Sequence, residues 1–184
     1  SADKRYRTQA PKKIQVLSTL ENQFLLADDK AVFSQAWAGS LYAKHELPGV
    51  KMVAAGGMST FLLSDGNSIH LLENGKTTFK STLGSDRVLE IRFHAPTGSF
   101  FVLGTGSLAQ LSPVTESIIT HVKGANFQTF DVMGNQVLVG SSAGYREYDV
   151  RTKSWTGEWQ SKLPVADIQV LRHVGGKWWF GTKN

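Results

Sequence analysis

The chain contains no cysteine, so disulfides and thiolate metal sites are excluded, while its redox compartment stays open. It contains no uninterrupted run of about eighteen apolar residues, which excludes a transmembrane helix of the usual kind. No window of about twelve residues combines a helical apolar stripe with capping residues. Charged residues make up only 19% of the 184 residues. What remains is one domain rich in short apolar runs, and we expect it to be all-β.

The sequence does contain a weak internal repeat. Five short apolar runs each end at a small residue, and these small residues lie 36 to 41 positions apart. They are Ala27, Ser64, Gly104, Gly140 and Gly181. A period near forty with short strands in every unit is typical of a β-propeller. We therefore predict a β-propeller of about five blades, each with three to four antiparallel strands.

A second signal precedes each small residue by 13 to 16 positions, where two apolar residues stand three positions apart. It places the starts of the units near residues 14, 50, 88, 127 and 168. Turn residues such as Gly134-Asn135 and Gly175-Gly176 separate this first strand from a second, continuously apolar strand. A run without alternation predicts burial on both faces. Third strands alternate apolar with polar residues, and fourth strands are polar, as at the rim of a blade.

The last unit contains only two predicted strands, and two interpretations stay open. In the first, residues 1–13 form a basic leader whose residues 4–8 add one strand and close the last blade. In the second, residues 14–184 are an excerpt of a longer propeller. The leader has room for one strand where two are missing, which favours the excerpt. An uncovered edge would also allow pairing with another chain.

The net charge of +5 is concentrated at the start of the chain. Residues 1–13 contain five basic residues and one acidic residue, so the rest of the chain carries a charge of about +1. A nucleic-acid surface would need a basic stripe on the folded body. We therefore do not expect a nucleic-acid partner.

Residues 176–184, Gly-Lys-Trp-Trp-Phe-Gly-Thr-Lys-Asn, resemble the repeat of two-component regulator propellers, and residues 134–149 are similar to a second copy. The first three units lack the tryptophan, and the first two also lack the Gly-Thr pair, so the resemblance covers the last third of the chain. In that family the propeller is typically the periplasmic sensing part of a membrane-bound histidine kinase or related signalling protein. The resemblance implies a binding module, periplasmic or extracellular, with a cytoplasmic location still open.

Motifs that suggest catalysis have simpler explanations. Residues 140–144 match G-x-S-x-G, but a strand-like segment follows where a nucleophile elbow needs a helix, so we predict a hairpin turn. Residues 104–109 match the G-x-G-x-x-A pattern of a dinucleotide-binding turn, but no helix is expected to follow, so we predict a simple turn here as well. The pairs Asp28-Asp29 and Asp65-Asn67 lack the series of oxygen donors that calcium needs, and they suit turns. We expect no metal and no cofactor.

The candidate binding residues come from the register of the repeat. Equivalent positions just after the apolar steps are Ser18, Ala54, Arg92, Asp131 and Arg172. Two arginines and one aspartate at a channel edge could attract an anionic ligand, or they could pair with one another. His94 and His173, near the ends of first strands, are the histidines best placed to join them.

The tryptophans divide into two groups. Trp178 and Trp179 are expected to pack between blades, because they lie on a predicted buried strand. Trp155 and Trp159 lie on an outer strand and are better candidates for an exposed contact.

Three functions stay open. The sequence favours a non-catalytic module that recognises a small ligand or a protein partner in a signalling or surface protein. The second is a propeller enzyme, a lyase or a glycoside-acting enzyme, with its site at the central channel. The third is a purely structural scaffold. The first two differ in whether the histidines and arginines named above meet in one pocket around a carboxylate or an ion.

Overall fold

The computed structural model describes residues 16–20, 23–28, 30–36, 42–56, 60–74, 76–124, 126–161 and 167–182. These residues form β-strands joined by short turns, with one 3-10 helix at Ala95–Thr97. They contain no helix that is long and apolar enough to cross a membrane. The predicted all-β class is confirmed.

The strands form four four-stranded sheets and one two-stranded sheet, all antiparallel, which we call blades 1 to 5. In every blade the strands pair in chain order, so each hairpin leads into the next. The strands of blades 1 and 2 are β1 (Val16–Leu20), β2 (Gln23–Ala27), β3 (Val32–Ala36), β4 (Tyr42–His45), β5 (Met52–Ala55), β6 (Thr60–Ser64), β7 (Ser68–Glu73) and β8 (Lys76–Thr82). Blade 3 contains β9 (Val88–His94), β10 (Ser99–Gly104), β11 (Ser107–Ser112) and β12 (Ser117–Lys123). Blades 4 and 5 contain β13 (Phe127–Met133), β14 (Gln136–Ser141), β15 (Gly144–Asp149), β16 (Ser154–Gln160), β17 (Ile168–Val174) and β18 (Lys177–Thr182).

The apolar core lies between successive blades. Phe100 and Val102 of β10 pack in a cluster with residues of blade 2, while Phe101 and Leu103 of the same strand pack with residues of blade 4. Alternate side chains of a strand point to opposite faces, so a blade covered on both sides needs an uninterrupted apolar run. This arrangement explains why all of β10 is buried, and it confirms the sequence prediction for the second strands of blades 2, 3 and 4. In blade 5 the prediction is wrong, because the residues of β18 are exposed or only partly buried.

First strands of successive blades lie next to one another along the series, from β1 through β5, β9 and β13 to β17. Within the described residues no strand pairing joins blade 5 to blade 1, so the five sheets form an open series. A closed ring of about five blades stays a prediction. Residues 1–13, including the strand expected at residues 4–8, lie outside the described residues, and the division at residue 14 is likewise untested.

The repeated small residues do not all occupy the same place in the strand pairing. Ala27, Ser64, Gly140 and Gly181 each lie two positions after the second-strand residue that pairs with Ser18, Ala54, Asp131 or Arg172. Gly104 lies three positions after Phe101, the partner of Arg92, so Leu103 occupies the equivalent place in blade 3. The spacing of small residues alone does not reveal this difference of one position.

Blade 5 differs from the others because β18 has no further strand beside it among the described residues. Trp178 and Phe180 face blade 4, with Phe180 against the ring of Tyr145 at 5.0 Å. Trp179 points to the other side and is 61% exposed. The expectation that both tryptophans pack between blades therefore holds for Trp178 and is wrong for Trp179.

Candidate functional site

The structure places the predicted residues Arg92, Asp131 and Arg172 at equivalent positions of β9, β13 and β17. Each is paired with the middle residue of the apolar run on the second strand of its blade. Those partners are Phe101, Leu138 and Trp179. The same register extends to the first two blades, where Ser18 pairs with Leu25 and Ala54 pairs with Leu62. The equivalence inferred from the sequence is therefore present in the pairing.

Glu90 connects the two arginines. Its carboxylate forms an ion pair with Arg92 on the same strand, and its Oε1 lies 3.2 Å from Nη1 of Arg172. Its Oε2 accepts hydrogen bonds from the Thr129 hydroxyl at 2.9 Å and from the Phe130 N–H at 3.1 Å. Sequence reasoning did not select Glu90, although a residue two positions before Arg92 on a strand lies on the same face.

Asp131 balances the second positive charge. Its Oδ1 lies 3.4 Å from Nε of Arg92, and its Oδ2 accepts the backbone N–H of His173 at 2.8 Å. The cluster thus contains two guanidinium groups and two carboxylates, which cancel in charge. An anionic ligand would compete with Glu90 and Asp131 for Arg92, and with Glu90 for the more exposed Arg172. Ligand binding at this cluster stays a prediction, and the pairing agrees with the alternative considered for these residues.

The two histidines do not join this cluster through their side chains. His94 is buried, its Nδ1 lies 2.9 Å from the Thr97 hydroxyl, and its ring contacts Phe101 edge-on at 5.8 Å. Burial lowers the pKa of His94 below its usual value, which favours the neutral ring. The His173 ring packs on Trp178 at 5.0 Å. Among the described residues, no hydrogen bond or ion pair links either imidazole to the arginines or their carboxylates.

The remaining motifs have the structural roles expected for turns. Residues 142–143 form the turn between β14 and β15, and the Ser141 hydroxyl accepts the N–H of Ala143. Asp28 and Asp65 each accept two backbone N–H groups of the following turn at 2.7–2.8 Å. Within the described ranges, no group of three or more His, Asp or Glu side chains is arranged to hold a metal ion.

A different region offers an open cavity. We call it the turn end, meaning the end of the blades where second strands turn into third strands. Here β9, β13 and β17 each carry a bulge at an equivalent unpaired residue: Leu89, Gln128 and Gln169. These three residues border a cavity of about 620 Å³. The rest of its lining comes from the adjacent turns and strand starts: Arg87, Thr105, Asn126, Phe127 and Ser142.

An amide network that includes two of the lining residues, Gln128 and Gln169, links blades 4 and 5. The Gln128 and Gln169 side-chain amides each donate to Oδ1 of Asp167 at 2.8 Å, and Gln169 also donates to Oε1 of Gln128 at 3.1 Å. Amide groups offer both donors and acceptors, so they can match the polar groups of a peptide backbone or a polar ligand. Sequence reasoning missed these residues because their position depends on bulges.

No protein-family model and no curated protein matches the sequence. Solved structures do match it in three dimensions. The WD40 domain of Pan2 from Neurospora crassa has a TM-score of 0.60 at 12% identity, over 78% of this chain and 51% of that one. The WD40 β-propeller domain of Doa1 has a TM-score of 0.68 at 16% identity, over 92% and 60%. The computationally designed protein Ika8 has a TM-score of 0.72 at 12% identity, over 92% and 55%.

The chain thus spans about half the length of the structures that it resembles. At these identities the likeness concerns the fold alone. The strand topology supports this fold independently of the comparisons. The blades are antiparallel sheets, four of them four-stranded, and their first strands lie next to one another. The described residues of this chain have the fold of a β-propeller.

Proposed function

We propose that this chain is part of a protein-interaction propeller whose partner binds at the turn end of blades 3 to 5. The observation that carries the proposal is the repeated bulge. Three consecutive first strands carry an unpaired residue at the same position, and together these residues border one cavity of about 620 Å³. Bulges often re-aim side chains next to functional sites. The WD40 likeness supports a role in protein recognition by analogy of fold.

The polarity of the cavity supports a partner that offers hydrogen-bonding groups. Gln128, Gln169 and Asn126 supply amides, and Thr105 and Ser142 supply hydroxyls. By contrast, the arginines near the middle of the first strands are already paired with Glu90 and Asp131. A partner at the turn end meets groups that can form new contacts without first breaking an ion pair.

A finer proposal is that the same cavity recognises a small ligand in a sensing protein. Its volume falls in the range of about 300–1,000 Å³ that is common for small-molecule sites. The link to a signalling or surface protein, and to the periplasm or cell exterior, rests on the resemblance of residues 176–184 to two-component regulator propellers. Direct binding of a polar small molecule in the absence of any protein partner would favour this version.

Site-specific photocrosslinking in the producing cells tests the proposal. A photoreactive phenylalanine analogue is placed at Ser142, in the cavity lining, or at Arg151, in the turn at the opposite end of the same blade. Both residues are exposed. We expect a discrete protein adduct at position 142 and none at 151, with the partner identified by mass spectrometry. Equal adducts at both positions, or none at 142, would overturn the proposal.

A further inference from the structure

A second cavity lies beside the first at the turn end of blade 4. It has a volume of about 180 Å³. Asn126, Phe127 and Ser142 line both cavities, so the two adjoin at these residues. We call the two cavities together the blade 4 cleft. Its narrow part can accept a single side chain, while its wide part can accept a length of main chain.

Aromatic rings form the wall of the narrow part. Trp155 and Trp159 of β16 lie 6.0 Å apart between ring centroids. Phe127 of β13 lies 6.3 Å from Trp155 and 6.4 Å from Trp159. Both tryptophans are only partly buried, so some ring surface remains available at the cavity. The exposed ring surface favours an apolar or flat group packed against it.

The charged side chains that line the cleft are all basic, with Lys123 and Arg146 in the narrow part and Arg87 in the wide part. The carboxylate of Asp167 is not among the lining residues, but it accepts hydrogen bonds from Gln128 and Gln169 of the wide part. The excess of positive charge is therefore greatest in the narrow part. Arg146 is held in place, because its Nε donates to the Gly157 carbonyl at 2.8 Å and its guanidinium lies 5.0 Å from the Trp155 ring centroid. A cation held over a ring in this way presents its remaining N–H donors at fixed positions.

Blade 3 provides an internal comparison. A cavity at the equivalent place lies between residues 82–86 and the turn at Gly106 and Ser107. Its lining includes Ile118, which pairs with Leu111 as Trp155 pairs with Tyr148 in blade 4. It also includes Asp86, an acidic residue of a kind absent from the lining of the narrow part of the blade 4 cleft, while Lys123 lines both cavities. The aromatic wall and the wholly basic charged lining therefore distinguish the blade 4 cleft from the cavity of blade 3, so they do not follow from the fold itself.

We propose that the blade 4 cleft binds an acidic peptide segment in which an apolar side chain stands next to carboxylate side chains. The apolar side chain would pack against the exposed surfaces of Trp155 and Trp159, and the flanking carboxylates would face Lys123 and Arg146. The main chain would run over the amides of Gln128 and Gln169 in the wide part. Complementary charge steers encounter and selects among partners. This inference rests on the proposed function and specifies the chemistry of the partner.

Fluorescence anisotropy with labelled peptides tests the inference on the full chain. The probe is a peptide of about eight residues that alternates Asp and Leu, long enough to span about 25 Å when extended. One comparison peptide replaces Asp with Lys, and the other replaces Leu with Gly. We expect the first probe to bind at least about tenfold more tightly than either, and its affinity to fall with added salt. Equal affinity for the Asp-Gly peptide would show that the apolar side chain does not contribute to binding, which would overturn the inference.

Substitutions locate the binding. Lys123→Glu reverses an exposed charge at the cleft, and we expect it to lower the affinity for the Asp-Leu peptide by about tenfold. Lys76→Glu on β8 reverses an exposed charge outside the cleft and serves as the matched control, with an effect below about twofold. Trp159→Ala should also lower the affinity for the Asp-Leu peptide, and circular dichroism verifies that the variant is folded. Equal effects of the two lysine substitutions would overturn the inference.

The two proposals fail separately. A protein adduct at Ser142 together with no preference for the acidic apolar peptide would leave the interaction function intact and refute the acidic-peptide site. Tight binding of nucleic acid by the same cleft, unaffected by Trp159→Ala, would also refute it, because the apolar anchor would then play no part. Absence of any adduct at Ser142 would remove the proposed function on which the inference rests.

Discussion

Glu90 contacts two other blades from its position on β9. One carboxylate oxygen accepts hydrogen bonds from Thr129 and Phe130 of blade 4, while the other lies 3.2 Å from Arg172 of blade 5. Only 18% of the Glu90 side chain is exposed, so water can replace few of these contacts if the carboxylate charge is lost. The residue therefore joins the first strands of three blades through polar contacts.

We expect Glu90→Gln to lower the free energy of unfolding by about 1–2 kcal/mol, because Arg92, whose side chain is 26% exposed, and the more exposed Arg172 both lose a carboxylate partner. Urea denaturation monitored by tryptophan fluorescence measures the change. Glu158→Gln, an exposed carboxylate on β16, is the matched control and should change stability by less than about 0.5 kcal/mol. If the two substitutions have the same effect, the cluster does not stabilise the blades.

The hairpin between β14 and β15 depends on a close approach of two strands. Gly144 has φ +117°, a conformation that side chains disfavour, and a Cβ added there would lie 2.2 Å from the Gln160 carbonyl oxygen. The contact is with backbone, which cannot rotate away. The glycine that completes the G-x-S-x-G string is thus explained by the packing of β15 against the end of β16.

We expect Gly144→Ala to destabilise the chain by about 3 kcal/mol or more, since it combines a strained φ with a backbone clash. Gly157→Ala is the control, because Gly157 also has a positive φ, +68°, yet nothing lies within 4 Å of an added Cβ. That substitution should cost only about 1–2 kcal/mol. Thermal unfolding of both variants tests the difference, and similar losses would mean that φ alone governs this turn.

The repeat carried enough information to predict the elements but not their fine register. Apolar runs identified the second strands because burial on both faces removes alternation, as in β10. The bulge residues Leu89, Gln128 and Gln169 could not be predicted, because a bulge depends on pairing with the neighbouring strand. The turn-end cavity, which these residues border, was missed for the same reason. Arg92, Asp131 and Arg172 were found because their spacing follows the repeat directly.

At the scale of the whole molecule, each blade is stabilised mainly by the blade beside it. Phe101 of blade 3 and Leu138 of blade 4 occupy the same place in the pairing, and both are buried against the first strand of the next blade. Trp179 occupies that place in blade 5, where it is 61% exposed beside Val170 and Val174, at 47% and 61%. The outer face of blade 5 therefore has the apolar residues of a blade interface without a blade against it among the described residues.

This face predicts self-association of the 184-residue chain in solution. Burying the Trp179 ring contributes enough free energy that Trp179→Lys should lower the association constant by at least about tenfold. Sedimentation equilibrium across a wide range of protein concentration measures it. Val114→Lys is the control, because Val114 is 93% exposed alone on the turn between β11 and β12 and should not affect association. A wild-type chain that stays monomeric at every concentration would contradict the prediction, which depends on an apolar face beside a strand edge that favours association.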